Sequence, residues 1–562
     1  MADALAHRGQ HTAISPIEEG FLGVVSNDTE SATARSGDTT LVSHAAVYQR
    51  AGDTSNAQAL LHALKDGSLG TIDADFALAA VNRDGTLVLA RDFFGCAPLY
   101  YTRGPDGIAF ASEYKALLPS SGFPEPDPDM LQHLQHAKRL PLGRTLLRNV
   151  ESVLPGTSLT IASDGTSEVR EQPTLEPTGA VSDIETARSL ILDGLTTAVE
   201  RRTADLDRLG LALSGGIDSI AIAFLLRRVA PDKPLVTVCA GSSPDDHECV
   251  TARAVAACIG SEHHEIITPP GELPADRLRT LVRHLEDPFS RTEAFQLFEI
   301  GRAARSAGCD VVLSAQGADG LFAGMPKYKL LRLMEKHAVV RKGLQQFWTY
   351  TQLGLPPSTL VGRLGVFAKF RGKVPPVPRI AGTSYTPPGP TFAEPGPQFI
   401  NRSMGRGFQA GVCQDIQKFE RCFAAHNVEY RSPFYDLEFV RTAYSIDDAL
   451  KIRNGQEKWI LRRALEGLVP DRFLGIPKFP QRIAPDVDLA VALDALLSDD
   501  TIRPRLDTLF VSETIDRLRR DNQAAYHYEA AMRIWTAVMT ALWHETFIDH
   551  TPRDTPPEPI HG

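Results

Sequence analysis

The residues with the clearest chemical meaning lie in LALSGGIDSIAIAFLL, positions 211–226. An apolar run through Leu213 ends at Ser214, an apolar helical stretch starts near Asp218, and Gly215 and Gly216 stand between them. Two successive glycines permit a tight turn that aims backbone N–H groups and the positive end of the next helix at one point. A phosphate needs that arrangement, and Ser214 and Ser219 add hydroxyl donors. A carboxylate beside a phosphate repels it unless a cation lies between them, so Asp218 is expected to hold Mg²⁺. The bland alternative is a glycine pair that merely ends a strand. Six residues, each in the strand, turn or helix context the chemistry requires, argue against it.

The elements around this loop must position it. Strands and helices alternate: LGLALS (209–214), a helix through Val229, LVTVCA (235–240), a helix over 247–258, HHEIIT, and DVVLS (310–314) after a further helix. Such alternation implies a parallel sheet with crossover helices. Earlier, FALAAV (76–81), TLVLA (86–90), PLYY (98–101) and IAFAS (108–112) are separated by the turn signals R-D-G and P-D-G, which predicts antiparallel hairpins. The expected fold is a two-domain α/β and α+β protein. An antiparallel β-sandwich with helices occupies residues 1–165, and a parallel α/β domain with additional helices occupies 183–548. A polar linker is expected at 163–182, a mobile loop that could act as a lid at 384–397, a loop at 401–411, a core-packing helix over Trp535–Phe547, and a disordered tail at 549–562.

Composition narrows the function. The net charge of -10 disfavours nucleic acid as a partner, because phosphate backbones need a basic face. No apolar run reaches the roughly 18–20 residues that span a bilayer, and the chain does not open on a secretory signal, so a cytoplasmic enzyme is expected. The seven cysteines contain no C-x-x-C pair and read as reduced, mostly buried thiols; the sixteen histidines contain no H-E-x-x-H, so no zinc site is expected.

The loop at 214–219 lacks the G-K-S/T ending of a Walker loop and resembles the S-G-G-x-D-S loop of the ATP pyrophosphatases. Further along, SEHHEI (261–266), LSAQGADGLFAG (313–324), HNVEYRSPFYD (426–436), EKWILRRAL (457–465) and VPDRFLGIPKF (469–479) follow at consistent spacing. Together they resemble the asparagine synthetase family, in which an Ntn-type glutaminase domain precedes the synthetase domain. The resemblance implies ATP and Mg²⁺ as cofactors, with a small-molecule or peptide carboxylate and an amine as partners. It further implies that Asp218 and Asp319 hold Mg²⁺ and that Leu213, Ser214, Gly215, Gly216, Ser219 and Ser314 contact the nucleotide. Lys458 would contact phosphate, and Lys478 would stabilise the charge that builds up as an amine attacks the adenylate. Gln316, Gly317 and Gln417 would border the substrate.

Departures from the pattern are equally informative. Gln316 stands where the family loop has a glutamate and Gly320 where it has a second acid, and an amide cannot take a proton from an incoming amine. The tyrosine–glutamate pair of β-lactam synthetases is also not evident at Gln316 and Gln417. In the first domain the chain opens almost at the family's A-H-R-G-P-D segment, so the cysteine nucleophile is read as absent. HAAVYQ (44–49) and SNAQ (55–58) replace the N-G-E-I-Y-N and S-D-T-E segments, whereas ARDFFGCAPLYY (90–101) and ASEYKALL (111–118) match well. A degenerate glutaminase domain joined to a working synthetase is the reading, of β-lactam synthetase-like type. The expected activity is glutamine-independent, adenylate-forming amide synthesis in specialised metabolism. A lasso-type peptide macrocyclase, an ammonia-using asparagine synthetase and a non-catalytic ATP-binding homologue remain alternatives, and the oligomeric state, homodimer included, is open.

Overall fold

Thr39–Val47 and Ala74–Asn82 pair antiparallel over nine residues, with Thr39 opposite Asn82 and Val47 opposite Ala74. In the computed structural model they are the inner strands of a six-stranded antiparallel sheet ordered Ser167–Glu171, Thr157–Ile161, Leu87–Arg91, Ala74–Asn82, Thr39–Val47, Thr33–Ser36. One face, with Val42, Ala77, Ala79 and Leu89, packs on Leu22, Leu99 and Val153. The other face, with Leu41, Phe76 and Leu78, covers Leu60 and Leu61 of the helix Asn56–Asp66. The structure describes residues 1–18, 20–49, 54–104, 107–119, 124–172, 175–268, 273–337, 341, 342, 345, 376–388, 396–476, 486–524 and 528–549. The expected tail beyond 549 and residues 389–395 of the 384–397 loop lie outside them.

Two expectations need correction. The stretch read as linker contains the strand Ser167–Glu171, exposed at every residue and paired with Thr157–Ile161. An edge strand with no buried face carries no period-two apolar signal, so its polar composition resembled a loop. The stretch 401–411, read as a loop, lies inside a 26-residue helix, Phe399–Ala424. Each interior glycine there costs about 1 kcal/mol relative to alanine, and burial of Ile400, Met404, Ile416 and Phe423 offsets it.

The second sheet is parallel, ordered Glu262–Ile267, Leu235–Gly241, Leu209–Ala212, Val311–Leu313, Glu429–Arg431. All seven residues of Leu235–Gly241 are buried, as expected for a strand covered by helices on both faces. The chain builds outward from Leu209–Ala212 on one side and then returns to its other side with Val311–Leu313. The C-terminal ends of these two strands therefore form the switch point, the place where open α/β sheets hold ligands. Ala530–Trp543 of the helix Tyr528–His544 are buried without interruption, which agrees with core packing there. Cys96, Cys239, Cys249, Cys309 and Cys422 are buried free thiols and Cys258 is exposed. Among the described residues no helix is long and apolar enough to cross a membrane.

One core lysine is a stability liability. Lys451 is wholly buried, its Nζ 5.8 Å from the Phe322 ring centre and 5.9 Å from that of Tyr444, with no hydrogen-bond partner among the described residues. Burial pushes its pKa down to about 7 against the pull of Asp448 and Asp447. A lysine whose folded pKa lies below its unfolded value costs stability in full below the folded pKa, and the cost fades as pH rises towards the unfolded value. Lys451→Met is expected to raise stability at pH 7 by about 2–4 kcal/mol. It should also flatten the rise in melting temperature expected of the wild type above pH 7; an unchanged melting temperature at pH 7 would mean that the ring faces meet the whole cost.

Candidate active site

The strand Leu209–Ala212 ends with Leu213 buried and its N–H donated to the Val238 carbonyl at 2.9 Å. Gly215 then takes φ +68°, a conformation that L side chains rarely adopt. A Cβ there would lie 2.8 Å from the Glu248 carbonyl oxygen and 2.9 Å from Thr251 Cβ. Gly216 caps the helix Ile217–Val229 without a side chain of its own, so no capping side chain lies between the start of the helix and a ligand. Ser219 Oγ donates to the Gly216 carbonyl at 3.0 Å, accepts the Ser214 N–H at 3.2 Å, and lies 3.2 Å from Ser214 Oγ. The turn is thus braced by its own hydroxyls.

Asp218, in the first turn of that helix, meets two partners from distant sequence. Lys458 Nζ pairs with Asp218 Oδ2 and lies 2.6 Å from Asp319 Oδ1. Asp319 sits in the first turn of Ala318–Leu321, after the second switch-point strand. The Lys458 side chain is 4% exposed. Burial alone would lower its pKa, but Asp218 and then Asp319 outweigh burial and hold it above the ordinary lysine value. Lys458 itself has φ +55° at the start of the helix Trp459–Ala464, a left-handed conformation that costs a non-glycine residue about 1–2 kcal/mol. Two carboxylates sharing one ammonium mark a place built for positive charge, and carboxylate and hydroxyl oxygens are the hard donors Mg²⁺ takes. The residues fit the ion.

Gly324 closes this cluster, a part that the LFAG segment it ends does not reveal by itself. A Cβ built there falls on Lys458 Cε and Asp319 Oδ1. Gly324→Ala is therefore expected to displace the two charged groups rather than unfold the chain. Activity should fall about 100-fold, the loss that a small misplacement of a positioned group brings; wild-type turnover in a steady-state assay would show that the pair has room to move.

The other expected residues fall around the same strand ends. Ser314 is buried, its N–H donated to the Arg431 carbonyl at 3.0 Å and its Oγ 3.0 Å from Tyr430 Oη. Gln316 N–H donates to Ser314 Oγ at 3.2 Å, and its carbonyl accepts from Ser432 Oγ at 2.7 Å. Gly317 has φ +105°, and a Cβ on it would stand 3.0 Å from Tyr435 Cε1. Gln417 is buried on the helix Phe399–Ala424, which packs against Ala318–Leu321. Lys478 lies outside the described residues. Arg462, one turn beyond Lys458, donates to the Leu474 carbonyl and, at 3.0 Å, to that of Ile476. It fixes the chain just before position 477, a role that K-x-x-L-R carries in plain sight but does not announce.

In the first unit, the segments read as a replaced pocket serve the fold. Ser55 and Gln58 form a capping box at the start of Asn56–Asp66, so SNAQ is a helix start. Asn56 Nδ2 donates to the Ala45 carbonyl at 2.8 Å, and its Oδ1 accepts the Val47 N–H at 3.2 Å. His44 Nε2 lies 3.7 Å from Glu420 Oε1 of the long helix, to which Arg8 is also bound, at 2.5 Å.

The family described as asparagine synthase matches residues 190–545, and that described as glutamine amidotransferase domain matches 39–172. The chain belongs to the asparagine synthase family. It is an ATP-dependent ligase that forms amides. Asparagine synthetase (glutamine-hydrolyzing) 1 of Bacillus subtilis is 26% identical over 526 residues, covering 88% of this chain and 81% of that protein. A putative asparagine synthetase (glutamine-hydrolyzing) of Mycobacterium bovis is 28% identical over 551 residues, covering 90% and 82%. Amidase chyE of Penicillium rubens is 25% identical over 464 residues, covering 72% and 68%. This chain has a charged Asp218–Lys458–Asp319 cluster beside the glycine turn and carries Gln316 and Gly320 in the loop that holds Asp319.

Proposed function

We propose that the protein adenylates a substrate carboxylate and passes the acyl group to an amine without hydrolysing glutamine, as a synthetase of specialised metabolism. The observation that carries the glutamine-independent reading is Asn56. The family pattern calls for a carboxylate there to hold the α-ammonium of glutamine, and both ends of the Asn56 amide are instead spent on the backbone of Ala45 and Val47. The relative named an amidase supports a family range wider than asparagine formation. In this reading residues 1–165 are a retained scaffold and 183–548 the synthetase.

The chemistry follows from the cluster. Mg²⁺, when bound, would neutralise charge on the departing pyrophosphate. Asp218 and Asp319 would hold it, with N–H groups of the glycine turn and the hydroxyls of Ser214 and Ser219 taking phosphate oxygens. Lys458, freed from one carboxylate, would follow the phosphate charge as the substrate oxygen attacks. Leu213 and Ser314 would border the nucleoside, and Gln316, Gly317 and Gln417 the acyl group. Lys478 is proposed to face the oxyanion formed when the amine attacks.

Purified protein with Mg-ATP, pooled carboxylic acids and pooled amines is expected to release pyrophosphate, and glutamine should yield no glutamate above background. Glutamine-dependent glutamate formation would overturn the glutamine-independent part. Release supported by aspartate and ammonium alone would move the protein to an ammonia-using asparagine synthetase.

A further inference from the structure

Two of the buried thiols lie against each other beside the glycine turn. Cys239 stands in the strand Leu235–Gly241 and Cys249 in the first turn of the helix His247–Ile259. Their Sγ atoms are 3.7 Å apart, in direct contact, and the two residues are 1% and 0% exposed. A Cβ built on Gly241 falls on Cys249 Sγ, so the glycine at that strand end makes the room in which the second sulfur sits. The adenylation chemistry above uses neither thiol.

Both elements that carry the pair also touch the turn. On the strand side the Val238 carbonyl, next to Cys239, accepts the Leu213 N–H at 2.9 Å. On the helix side the Glu248 carbonyl oxygen and Thr251 Cβ lie 2.8 and 2.9 Å from where a Cβ on Gly215 would stand. A disulfide needs its sulfurs about 2.05 Å apart, so the pair must close by about 1.6 Å. The strand is laddered on both sides, to Leu209–Ala212 and Glu262–Ile267, and resists that movement. The helix start yields more readily, and its shift carries Glu248 and Thr251 relative to Gly215.

Cys249 is the attacking group. A thiol in the first turn of a helix gains from the N-terminal dipole, and the hydrogen bond from Cys239 holds the Cys249 thiol below its ordinary value against burial. The stretch before it is at the surface, with Pro244, Asp245 and His247 exposed, so opening of one short turn admits a small oxidant.

We propose that Cys239 and Cys249 are a redox-sensitive pair whose disulfide, formed by hydrogen peroxide, distorts the glycine turn and weakens ATP binding. The Cys249 thiolate attacks one peroxide oxygen and breaks the O–O bond, giving a sulfenic acid and hydroxide. The Cys239 thiol then attacks that sulfur, forms the S–S bond and releases water. In total two thiols give up two electrons and two protons, and the peroxide leaves as two waters. The inference rests on the reading that phosphate sits at this turn.

The full chain is treated with hydrogen peroxide, its remaining thiols are blocked with iodoacetamide, and its peptides are mapped by mass spectrometry. Affinity for Mg-ATP is measured by equilibrium binding before and after. A peptide linked through Cys239 and Cys249 is expected, with Mg-ATP binding weakened about 10–100-fold, the scale of a small displacement in a positioned site. Dithiothreitol should restore it. In a glutathione buffer, saturating Mg-ATP should shift the pair toward the thiols, because the coupling is reciprocal. Cys239→Ala and Cys249→Ser should each bind Mg-ATP as the reduced wild type does and lose the response to peroxide. A map in which peroxide modifies Cys258 but never links Cys239 to Cys249, or a linked protein with unaltered affinity, would overturn the proposal while leaving the phosphate site in place. Reduced protein that binds no Mg-ATP would remove both.

Discussion

Lys458→Met is expected to lower pyrophosphate release by about 10²–10³-fold, the scale seen when one fixed charge-stabilising donor is removed. The same change should destabilise the metal-free protein. Lys458 is buried between Asp218 and Asp319, and its loss leaves two carboxylates facing each other without their shared cation. Removing one partner from a buried ionic cluster typically costs about 3–5 kcal/mol, and the partial exposure of Asp319 places this case toward the lower end. A divalent cation that sits between the carboxylates would repair much of that deficit. Melting temperatures should therefore show a larger rise on going from EDTA to Mg²⁺ in the variant than in the wild type. A pH signature accompanies it. Because the folded pKa of Lys458 is raised, its contribution is present in full below the unfolded lysine value and is lost as pH rises through the folded value. The wild type should lose stability in that alkaline window and the variant should not. A variant with normal pyrophosphate release would remove Lys458 from the chemistry.

How much of this the sequence reveals depends on the range of the interaction. The turn at Ser214–Ser219 is local, and its strand, glycines and helix lie within one short window, so its geometry was legible. The parallel sheet was legible for the same reason, each strand being a short apolar run beside a helical one. The Asp218–Lys458 pair spans 240 positions. Motif resemblance named both residues, but only the topology shows that a single ammonium bridges Asp218 and Asp319 and that Gly324 leaves room for it. Glycine content points to a loop at 401–411 where packing decides otherwise: the helix that contains Gly405, Gly407 and Gly411 is anchored by the buried Ile400, Met404, Ile416 and Phe423. A built Cβ on Gly405 would lie 3.4 Å from Tyr444 Oη, an ordinary contact, so nothing in the structure requires a glycine there. In SNAQ the loss of an acid is legible in the sequence alone, whereas the capping box that those letters also spell shows only in the helix that starts there.

Arg202→Met should be the most destabilising single change at the junction of the two units, by about 3–5 kcal/mol. The guanidinium is fully buried and lies 3.1 Å from Asp73 Oδ1 of the first unit and 2.9 Å from Asp436 Oδ2 of the second, with its Cζ 4.2 Å from the Tyr48 ring centre. Burial already pushes the Asp73 carboxyl up to about 6, with Arg202 opposing and Asp436 adding to the rise. Without Arg202 both carboxylates stay buried with their main cation gone, and Asp73 must bind a proton or move. A carboxyl whose folded pKa exceeds its unfolded value favours folding as pH falls, so the variant should regain stability between pH 7 and 5 relative to wild type. Thermal melts across that range check the sign, and Asp73→Asn added to Arg202→Met should restore part of the loss at pH 7. A melt at pH 7 equal to wild type would show that the junction does not depend on this charge. The consequence reaches the active site, because Asp436 caps the helix Leu437–Ser445 and directly follows Pro433–Tyr435, the segment against which Gly317 packs. A first unit whose Asp73 anchors that wall has a structural reason to persist whether or not it handles glutamine.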